Sequence, residues 1–369
     1  MSYVRDRLGL RIGSREWRAW SKVHVTESIE QLCTSAALSL SRIDRSAHDW
    51  IEPVPGDACT INIGVEGGAQ SLDRLVLTGH IDSDKDDTAS GSAYECRIRS
   101  RIADCVDCSH RHRTGVIKGA KVEQIAAELF TDGYGIKVRC EVDTGPVVPL
   151  VRAKRTDTPY GVVLRLAKER GLLLRDNSAG DLVITTVVGP GQHVATLERG
   201  KNVLTLSRQR DVTGRYLHYR VRGQSADDFA AEASVMDLWS GLRNRLLVVD
   251  ADKIVAKDDC ERRALWEAMT RAGKSISYTA TVRGWRIDPT DATSDIWRAN
   301  TLVHAIDPCY RLDDDLVISK VERVRGANEG TRSVLTLVYP DGLTPEPRKY
   351  KRRNGNSQDF FAGVKYGQW

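Results

Sequence analysis

A pattern of three strand-like segments occurs twice in this 369-residue chain, once in its first third and once near its end. Each copy has two alternating apolar–polar segments joined by a turn, then a polar loop, then a third alternating segment. Because successive side chains of a strand point to opposite faces, such alternation is typical of half-buried β-strands. The copies share almost no identity, so they predict a repeat of architecture. Their segments are 55–64, 75–82 and 93–99, and 297–305, 316–322 and 332–337.

We interpret the two copies as the closing strands of two small β-barrels. Two unrelated β-meanders would produce the same alternation and stay open as an alternative. The predicted fold class is α+β, mainly β, with an α/β module inserted between the barrels. The predicted domains are a first β-barrel at 1–104, the α/β module at 105–190, a second β-barrel with helical insertions at 191–343, and a basic-aromatic C-terminal tail at 344–369.

Local signals are clearest in the predicted α/β module. Asp157 or Thr158 can cap a helix that has Pro159 in its first turn and ends at Gly171. A hairpin follows, with apolar strands at 172–175 and 182–185 around a polar turn. In the second barrel, 258–272 predicts a helix, and the polar residues 226–241 predict an insertion.

Charge is unevenly distributed along the chain. The net charge is +5, and residues 344–369 contain six basic and two acidic residues, a net charge of +4. The remaining chain is thus almost neutral and lacks the sustained positive surface of a nucleic-acid-binding protein. No leading apolar signal segment is present, and the eight scattered cysteines predict free thiols and a cytoplasmic origin.

One cluster has residue types that bind metals. Cys105, Cys108, His110 and His112 are ligands of the kind that zinc prefers. A metal-dependent hydrolase built on these four is therefore an alternative function. A second ligand pair in another segment, usual for structural zinc, is lacking, and a strand end entering a polar loop explains the cluster more simply. The acidic run 82–87 predicts a solvated hairpin tip.

No catalytic constellation emerges from the remaining sequence. The motifs of serine hydrolases, zinc proteases and dinucleotide-binding proteins do not occur. We therefore assign no catalytic, cofactor-binding or metal-binding residues, and we favour a structural or interaction protein over an enzyme.

The order and spacing of several short segments resemble a known family, the baseplate central hub proteins of Mu-like contractile-tail phages (P protein, or 43 kDa tail protein). Each segment is weak alone, but together they cover nearly the whole chain. The segments that carry the resemblance are 17–25, 28–33, 38–41, 55–59, 77–82, 104–109, 160–185 and 297–340.

The resemblance implies a phage tail-hub fold that is shared with T-even phages and with type VI secretion spike proteins. It implies a homotrimer whose two barrels per subunit make a ring of approximate sixfold symmetry, adapting a sixfold tail tube to a threefold spike. The implied partners are the tail spike, the tail tube or a tube-initiator protein, the tape measure protein and the baseplate wedge proteins. Neither a membrane nor a specific nucleic acid is expected as a partner. The implied location is the tail baseplate of the virion, assembled in the cytoplasm of the bacterial host.

The basic-aromatic tail departs from the family pattern. We predict that it docks on a neighbouring tail component, and a nucleic-acid-binding role for its basic residues 348–353 is the alternative. The predicted partner-binding residues are Arg348, Lys349, Lys351, Arg352, Arg353, Phe360, Phe361 and Trp369.

Overall fold

A computed structural model shows a chain that is mainly β, with few helices. The residues that it describes are 3–18, 20–41, 53–86, 93–189, 191, 193–224, 230–239, 243–254, 257–326, 330–343 and 364–366.

The described part of the first hundred residues contains seven strands. They are β1 (Asp6–Ile12), β2 (Arg15–Trp17), β3 (Lys22–Ser28), β4 (Ser35–Ser41), β5 (Ala58–Val65), β6 (Arg74–Asp86) and β7 (Ala93–Ser100). The alternation in the sequence corresponds to burial: Leu8, Val25, Leu38, Ile61 and Ile98 all point into one core and are fully covered. The acidic run predicted as a hairpin tip is instead the exposed second half of β6.

The next segment combines short helices with two small sheets. It contains α1 (Asp104–Asp107), β8 (Val116–Ala120), α2 (Val122–Ala126), a π-helical turn (Ala127–Thr131), α3 (Asp132–Tyr134), β9 (Val138–Cys140), β10 (Val148–Arg152), α4 (Pro159–Arg170), β11 (Leu173–Asp176) and β12 (Leu182–Thr185). The helix–hairpin prediction is confirmed. Thr158 is the cap of α4, its Oγ1 accepting from the Gly161 N–H at 3.1 Å, and Gly171 ends the helix in the left-handed conformation.

The last part of the chain contains two groups of strands. It consists of β13 (Ala195–Glu198), β14 (Val203–Arg210), β15 (His218–Gln224), β16 (Ala230–Asp237), β17 (Leu246–Ile254), α5 (Lys257–Lys274), β18 (Ile276–Arg283), β19 (Leu302–Asp307), β20 (Leu312–Gly326), β21 (Gly330–Val338) and β22 (Val364–Tyr366). Strands β15, β16, β17 and β22 form a separate four-stranded sheet against α5. The segment predicted as a polar insertion therefore contains a strand, β16. Its inner face is buried, because Val235 lies in one hydrophobic core with Tyr219 of β15 and Cys260 of α5.

The strands predicted as two barrels are joined in one 13-stranded sheet. Its main path runs β14-β18-β21-β20-β3-β4-β7-β6-β5-β1-β2, with β19 and β13 branching from β20. Two separate hydrophobic cores lie within it, one under the N-terminal strands and one under β18–β21. The two groups meet where β3 pairs antiparallel with β20.

The sequence repeat is a repeat of topology. Six N-terminal strands are hydrogen-bonded in the order β1-β5-β6-β7-β4-β3, and six C-terminal strands in the order β13-β19-β20-β21-β18-β14. Corresponding strands also follow the same order along the chain. Among the described strands, the copies differ in three respects. β13 pairs parallel with β19, whereas β1 pairs antiparallel with β5. β2 pairs with β1 and has no counterpart beside β13, and the four-stranded sheet with α5 is inserted between β14 and β18.

The correspondence extends to single residues. Gly56 donates its N–H to the carbonyl of Ile81 at 2.7 Å, and Asn300 donates its N–H to the carbonyl of Ile318 at 2.9 Å. Both donors have positive φ, +99° for Gly56 and +61° for Asn300. In each copy, the pairing register with the following strand, β7 or β21, shifts directly after the isoleucine. Ile81 and Ile318 thus mark the same point in the two copies.

Candidate functional site

The contact between the two copies, which we call the seam, is centred on an ion pair between a mostly covered carboxylate and a fully buried arginine. Glu27 on β3 accepts from Arg323 Nη2 on β20 at 2.9 Å, and the Arg323 side chain is completely covered. Arg298 Nη1 lies 3.4 Å from the same carboxylate oxygen, and the other oxygen of Glu27 accepts from the Ala299 N–H at 3.0 Å. Arg323 also donates to the carbonyl of Trp297. The seam therefore connects β3, β20 and the segment before β19.

Electrostatics favour the charged form of this carboxylate. Burial alone would raise the pKa of Glu27, but the charges of Arg323 and Arg298 outweigh it and lower the pKa below its usual range. A buried charge persists only when it is paired and hydrogen-bonded, and both conditions are met here.

A second buried pair lies on the other side of the N-terminal core. Asp6 on β1 accepts from Arg286 Nε at 3.0 Å and from the Trp285 N–H at 2.9 Å. Arg286 continues to the carbonyl of Leu72 at 3.2 Å. Burial raises the pKa of Asp6, and the bonds from Trp285 and Arg286 oppose that rise. The N-terminal strand is thereby tied to the segment that follows β18.

Sequence reasoning missed these residues, although a signal was present. Asp6, Glu27 and Arg323 each occupy a position where the alternation of their strand calls for an apolar side chain, in phase with neighbours such as Leu8 and Val25. A charged residue in the buried phase of a strand needs a partner, and a search for such interruptions would have found all three.

Two of the open strand edges belong to corresponding parts of the repeat. Among the described strands, β14 pairs with β18 alone, apart from one isolated bridge between Val203 and Arg199, and Leu204 within it is 47% exposed. In β6, pairing to β5 ends at His80, and residues 83–86 pair with β7 alone among the described strands. Unpaired edges attract further strands. They are the open ends of the repeated unit.

The four residues of the predicted zinc cluster do not converge. Cys105 is buried in the core of the helical segment, where burial raises the pKa of its thiol to about 12. Among the described residues, these four do not bring three ligand atoms within 4.8 Å of one another. His110 Nε2 is 2.9 Å from the Lys154 carbonyl, and His112 Nδ1 accepts from the Gly115 N–H at 3.0 Å. The geometry contradicts a hydrolase site at these positions.

A different cluster does bring metal-ligand types together. His193 Nε2 and His304 Nδ1 lie 2.7 Å and 2.8 Å from the same oxygen of Asp315, and His304 Nε2 is 2.9 Å from Asp313. Within the described part of the chain, this is the one group of three such ligand atoms within 4.8 Å. The three residues are far apart in the sequence, so no spacing motif announced them.

The predicted partner-binding residues of the tail lie outside the described residues. Of the tail, the structure describes only β22, which pairs antiparallel with β16 and places Tyr366 opposite Val235. Among the described helices, none has the length and apolar character needed to cross a membrane.

Three family models match successive parts of the chain. Residues 7–101 match "Mu phage baseplate assembly protein GpP-like, N-terminal", residues 102–186 match "Baseplate hub protein gp44-like, second domain", and residues 256–346 match "Mu phage baseplate assembly protein GpP, fourth domain". The chain belongs to the baseplate hub proteins of Mu-like phages. The resemblance predicted from the sequence is thus confirmed, and the chain is a structural component of a phage tail baseplate.

Individual relatives agree with this assignment to the hub family. The chain is 28% identical over 371 residues to baseplate hub protein gp44 of Escherichia phage Mu, covering 96% of this chain and 93% of that protein. The 43 kDa tail protein of prophage MuSo2 from Shewanella oneidensis superposes with a TM-score of 0.78 at 28% identity, over 92% of this chain and 99% of that one. A tail protein of Neisseria meningitidis MC58 shares the fold, with a TM-score of 0.76 at 19% identity over 93% of this chain and 99% of that one.

Proposed function

We propose that this hub protein forms a homotrimeric ring that adapts the sixfold tail tube to the threefold tail spike, without catalytic activity of its own. The observation that carries the proposal is the duplicated six-strand topology. Three chains with two copies each present six similar units to a sixfold partner.

The same chain also contains parts that occur once. The segment with α1–α4 and the four-stranded sheet against α5 have no counterpart in the other copy. A ring of three chains repeats these parts three times, as a threefold spike requires. We take 1–104 and 191–343 as the two ring-forming units and 105–190 as the inserted module.

Solution mass tests the trimer directly. Light scattering of the purified protein should give a species of three times the 41.0 kDa chain mass, and a mixture with the spike should give a species of that mass plus the mass of the bound spike. Negative-stain images of that species should show a ring. A protein that stays a monomer under both conditions, and never associates with spike or tube, would refute the proposal.

The proposed partners follow from this position in the tail. They are the spike on one side, the tube or a tube-initiator protein on the other, and the tape measure and wedge proteins around them. The ring would assemble in the host cytoplasm before it joins the baseplate.

The tail of residues 344–369 is proposed to dock on one of these neighbours, with Phe360, Phe361 and Trp369 as apolar anchors. Deleting it should block tail assembly, but the deletion also removes β22 from its pairing with β16. The variant Phe360→Ala/Phe361→Ala/Trp369→Ala keeps β22, and it should block assembly while the circular-dichroism spectrum and melting of the hub stay close to wild type. A matched variant neutralises only the five basic residues at 348–353; it should weaken assembly less than the loss of the three aromatic anchors does. Normal tails from the deletion would show the docking role wrong.

A further inference from the structure

Three neighbouring strands bring the side chains of two histidines and two aspartates together. His304 on β19 lies directly opposite Asp315 on β20, and Asp313 is two residues away on the same face of β20. His193 lies two residues before β13, which pairs with the other side of β19. The four side chains therefore meet across β19, although they come from three separate segments of the chain.

The ring of His304 has a carboxylate oxygen at each of its nitrogens. Nδ1 lies 2.8 Å from Asp315 Oδ1, and Nε2 lies 2.9 Å from Asp313 Oδ1. A neutral imidazole has one N–H and one lone pair, so it can donate to only one of these carboxylates. When the proton is on Nε2 and bonds to Asp313, the lone pair of Nδ1 faces the Asp315 oxygen. Two acceptors at that distance repel each other unless a positive ion lies between them.

His193 adds a second unsatisfied nitrogen to the same carboxylate oxygen. Its Nε2 lies 2.7 Å from Asp315 Oδ1 at an angle that does not suit a hydrogen bond, and this atom is covered from solvent without a hydrogen-bond partner among the described residues. In the metal-free protein a proton can lie between His304 and Asp315, but it leaves His193 unsatisfied. A single divalent cation satisfies all three ligand atoms together.

The ligand set selects the class of metal. Calcium and magnesium take oxygen ligands, whereas two imidazole nitrogens and one carboxylate oxygen suit zinc. The three ligand atoms lie within 4.8 Å of one another. Zinc binds nitrogen and oxygen at about 2.0 to 2.2 Å, so its tetrahedral ligands stand about 3.3 Å apart. The two contacts to Asp315 then open by about half an ångström, which small side-chain rotations allow.

We propose that His193, His304 and Asp315 bind one zinc ion, and that Asp313 orients His304 by accepting its Nε2–H. A carboxylate that holds the second ring nitrogen of a metal-binding histidine is a usual companion of zinc sites. The three ligand side chains are between 28% and 33% exposed, so the ion can enter from solvent and its fourth position is left to water. The inference does not depend on the ring of three chains.

Zinc at this position fastens an edge of the sheet. Strand β13 has only four residues, and it pairs with β19 alone among the described strands. The ion connects the segment before β13 to β20 across the intervening β19, so its role is structural. Because the unfolded chain does not hold these ligands together, zinc binding stabilises the folded state.

Zinc titration of the full chain tests the site. The background variant replaces the three exposed cysteines, Cys108, Cys140 and Cys309, with serine and carries no histidine tag, so that neither group competes for zinc. Calorimetry should show one zinc ion per chain, and zinc should raise the midpoint of thermal denaturation. Cobalt in place of zinc should give the visible absorption of a four-coordinate site.

Single substitutions separate the ligands from other histidines and aspartates. His193→Ala and Asp315→Asn each remove one of three ligands, so each should weaken zinc binding by more than about 100-fold and abolish the thermal shift. Asp313→Asn should weaken binding by about 10-fold to 100-fold, with one zinc ion still bound per chain.

The matched control is His24→Gln. His24 also lies beside a carboxylate, that of Glu322 at 3.3 Å, but it belongs to no group of three ligand atoms in the described part of the chain. Zinc affinity and stoichiometry should therefore stay those of the background variant.

Circular dichroism checks that each variant folds, which is expected because the substituted side chains are partly exposed. His304→Gln serves as a third ligand variant if His193→Ala or Asp315→Asn unfolds. A background protein that takes up no zinc would overturn the proposal. Equal zinc affinity in the folded ligand variants and in His24→Gln would overturn it as well.

Discussion

The carboxylate of Glu27 lies 2.9 Å from the guanidinium of Arg323, a side chain that is completely buried although it carries a charge. These residues are almost three hundred positions apart, and their contact joins the two copies of the repeated topology. Two further donors of Arg323, Nε and Nη1, have no hydrogen-bond partner among the described residues. The stability of the seam therefore depends strongly on this one carboxylate.

Removing Glu27 should destabilise the hub far more than removing its neighbour on the partner strand. Glu27→Met leaves Arg323 buried and unpaired, which costs about 3 to 5 kcal/mol in the free energy of unfolding. Glu322→Met, on the exposed face of β20, should cost less than about 1 kcal/mol. Guanidinium denaturation followed by circular dichroism measures both.

The double variant tests the cause of that loss. Glu27→Met/Arg323→Met replaces both charges with apolar side chains of similar volume, so it should recover most of the stability lost in the single variant. If Glu27→Met were no worse than Glu322→Met, the buried pair would not hold the seam.

Glycine is required at position 56 by backbone conformation. Its φ of +99° is unfavourable for any residue with a Cβ, while no atom lies within 4 Å of where that Cβ would stand. Gly56→Ala should therefore cost about 1 to 2 kcal/mol through strain alone. Gly214→Ala is the control, because Gly214 has equal space and no positive φ; its effect should stay within about 0.5 kcal/mol. Equal denaturation midpoints for both variants would contradict this explanation.

Asp176 should make stability depend on pH. Its carboxylate accepts from the Thr34 N–H at 2.9 Å and from the Thr34 hydroxyl at 3.0 Å, yet burial raises its pKa to about 6. Because the unfolded chain releases this proton near pH 4, the contribution of Asp176 falls as pH rises from about 4 to about 6 and is constant above. The expected fall is on the order of 3 kcal/mol.

Denaturation curves between pH 4 and pH 7 measure this contribution as a difference. Asp176→Asn should remove the fall relative to wild type, and Asp132→Asn, at an exposed site, should retain it. A variant at Asp176 whose pH profile parallels that of wild type would refute the assignment.

His304 should hold its proton more strongly than an ordinary histidine. Its pKa is raised by the hydrogen bond to Asp315 and, after a smaller opposing effect of burial, by Asp313. Proton NMR of selectively labelled histidine should give a pKa above 6.5. Asp315→Asn should lower it more than Asp313→Asn, and Asp132→Asn should leave it unchanged.

The same interaction has a defined sign for stability. A raised histidine pKa stabilises the folded chain at low pH, and the contribution is lost as pH rises through the folded-state pKa. A pKa of His304 that is insensitive to both aspartates would show that the cluster does not form in solution.

Much of the local structure follows from short stretches of sequence. Alternation predicted β5, β6 and β7 and their counterparts β19, β20 and β21, and the capping pattern predicted α4 between Thr158 and Gly171. These features depend on neighbours a few residues away. Two predictions failed for the opposite reason: β16, which lies in a stretch predicted as a polar insertion, and the polar outer half of β6 are strands because of their pairing with adjacent strands.

The sequence by itself determined that the chain is mainly β, that one architectural pattern occurs twice, and that its family is that of phage baseplate hubs. Only the tertiary structure decided that both groups of strands share one sheet, that Glu27 meets Arg323, and that β14 and β6 are left with open edges. The physical reason is the distance along the chain over which each kind of signal acts. Alternation and capping are read within a few residues, whereas the β3–β20 ladder and the convergence of His193, His304 and Asp315 depend on segments that only folding brings together.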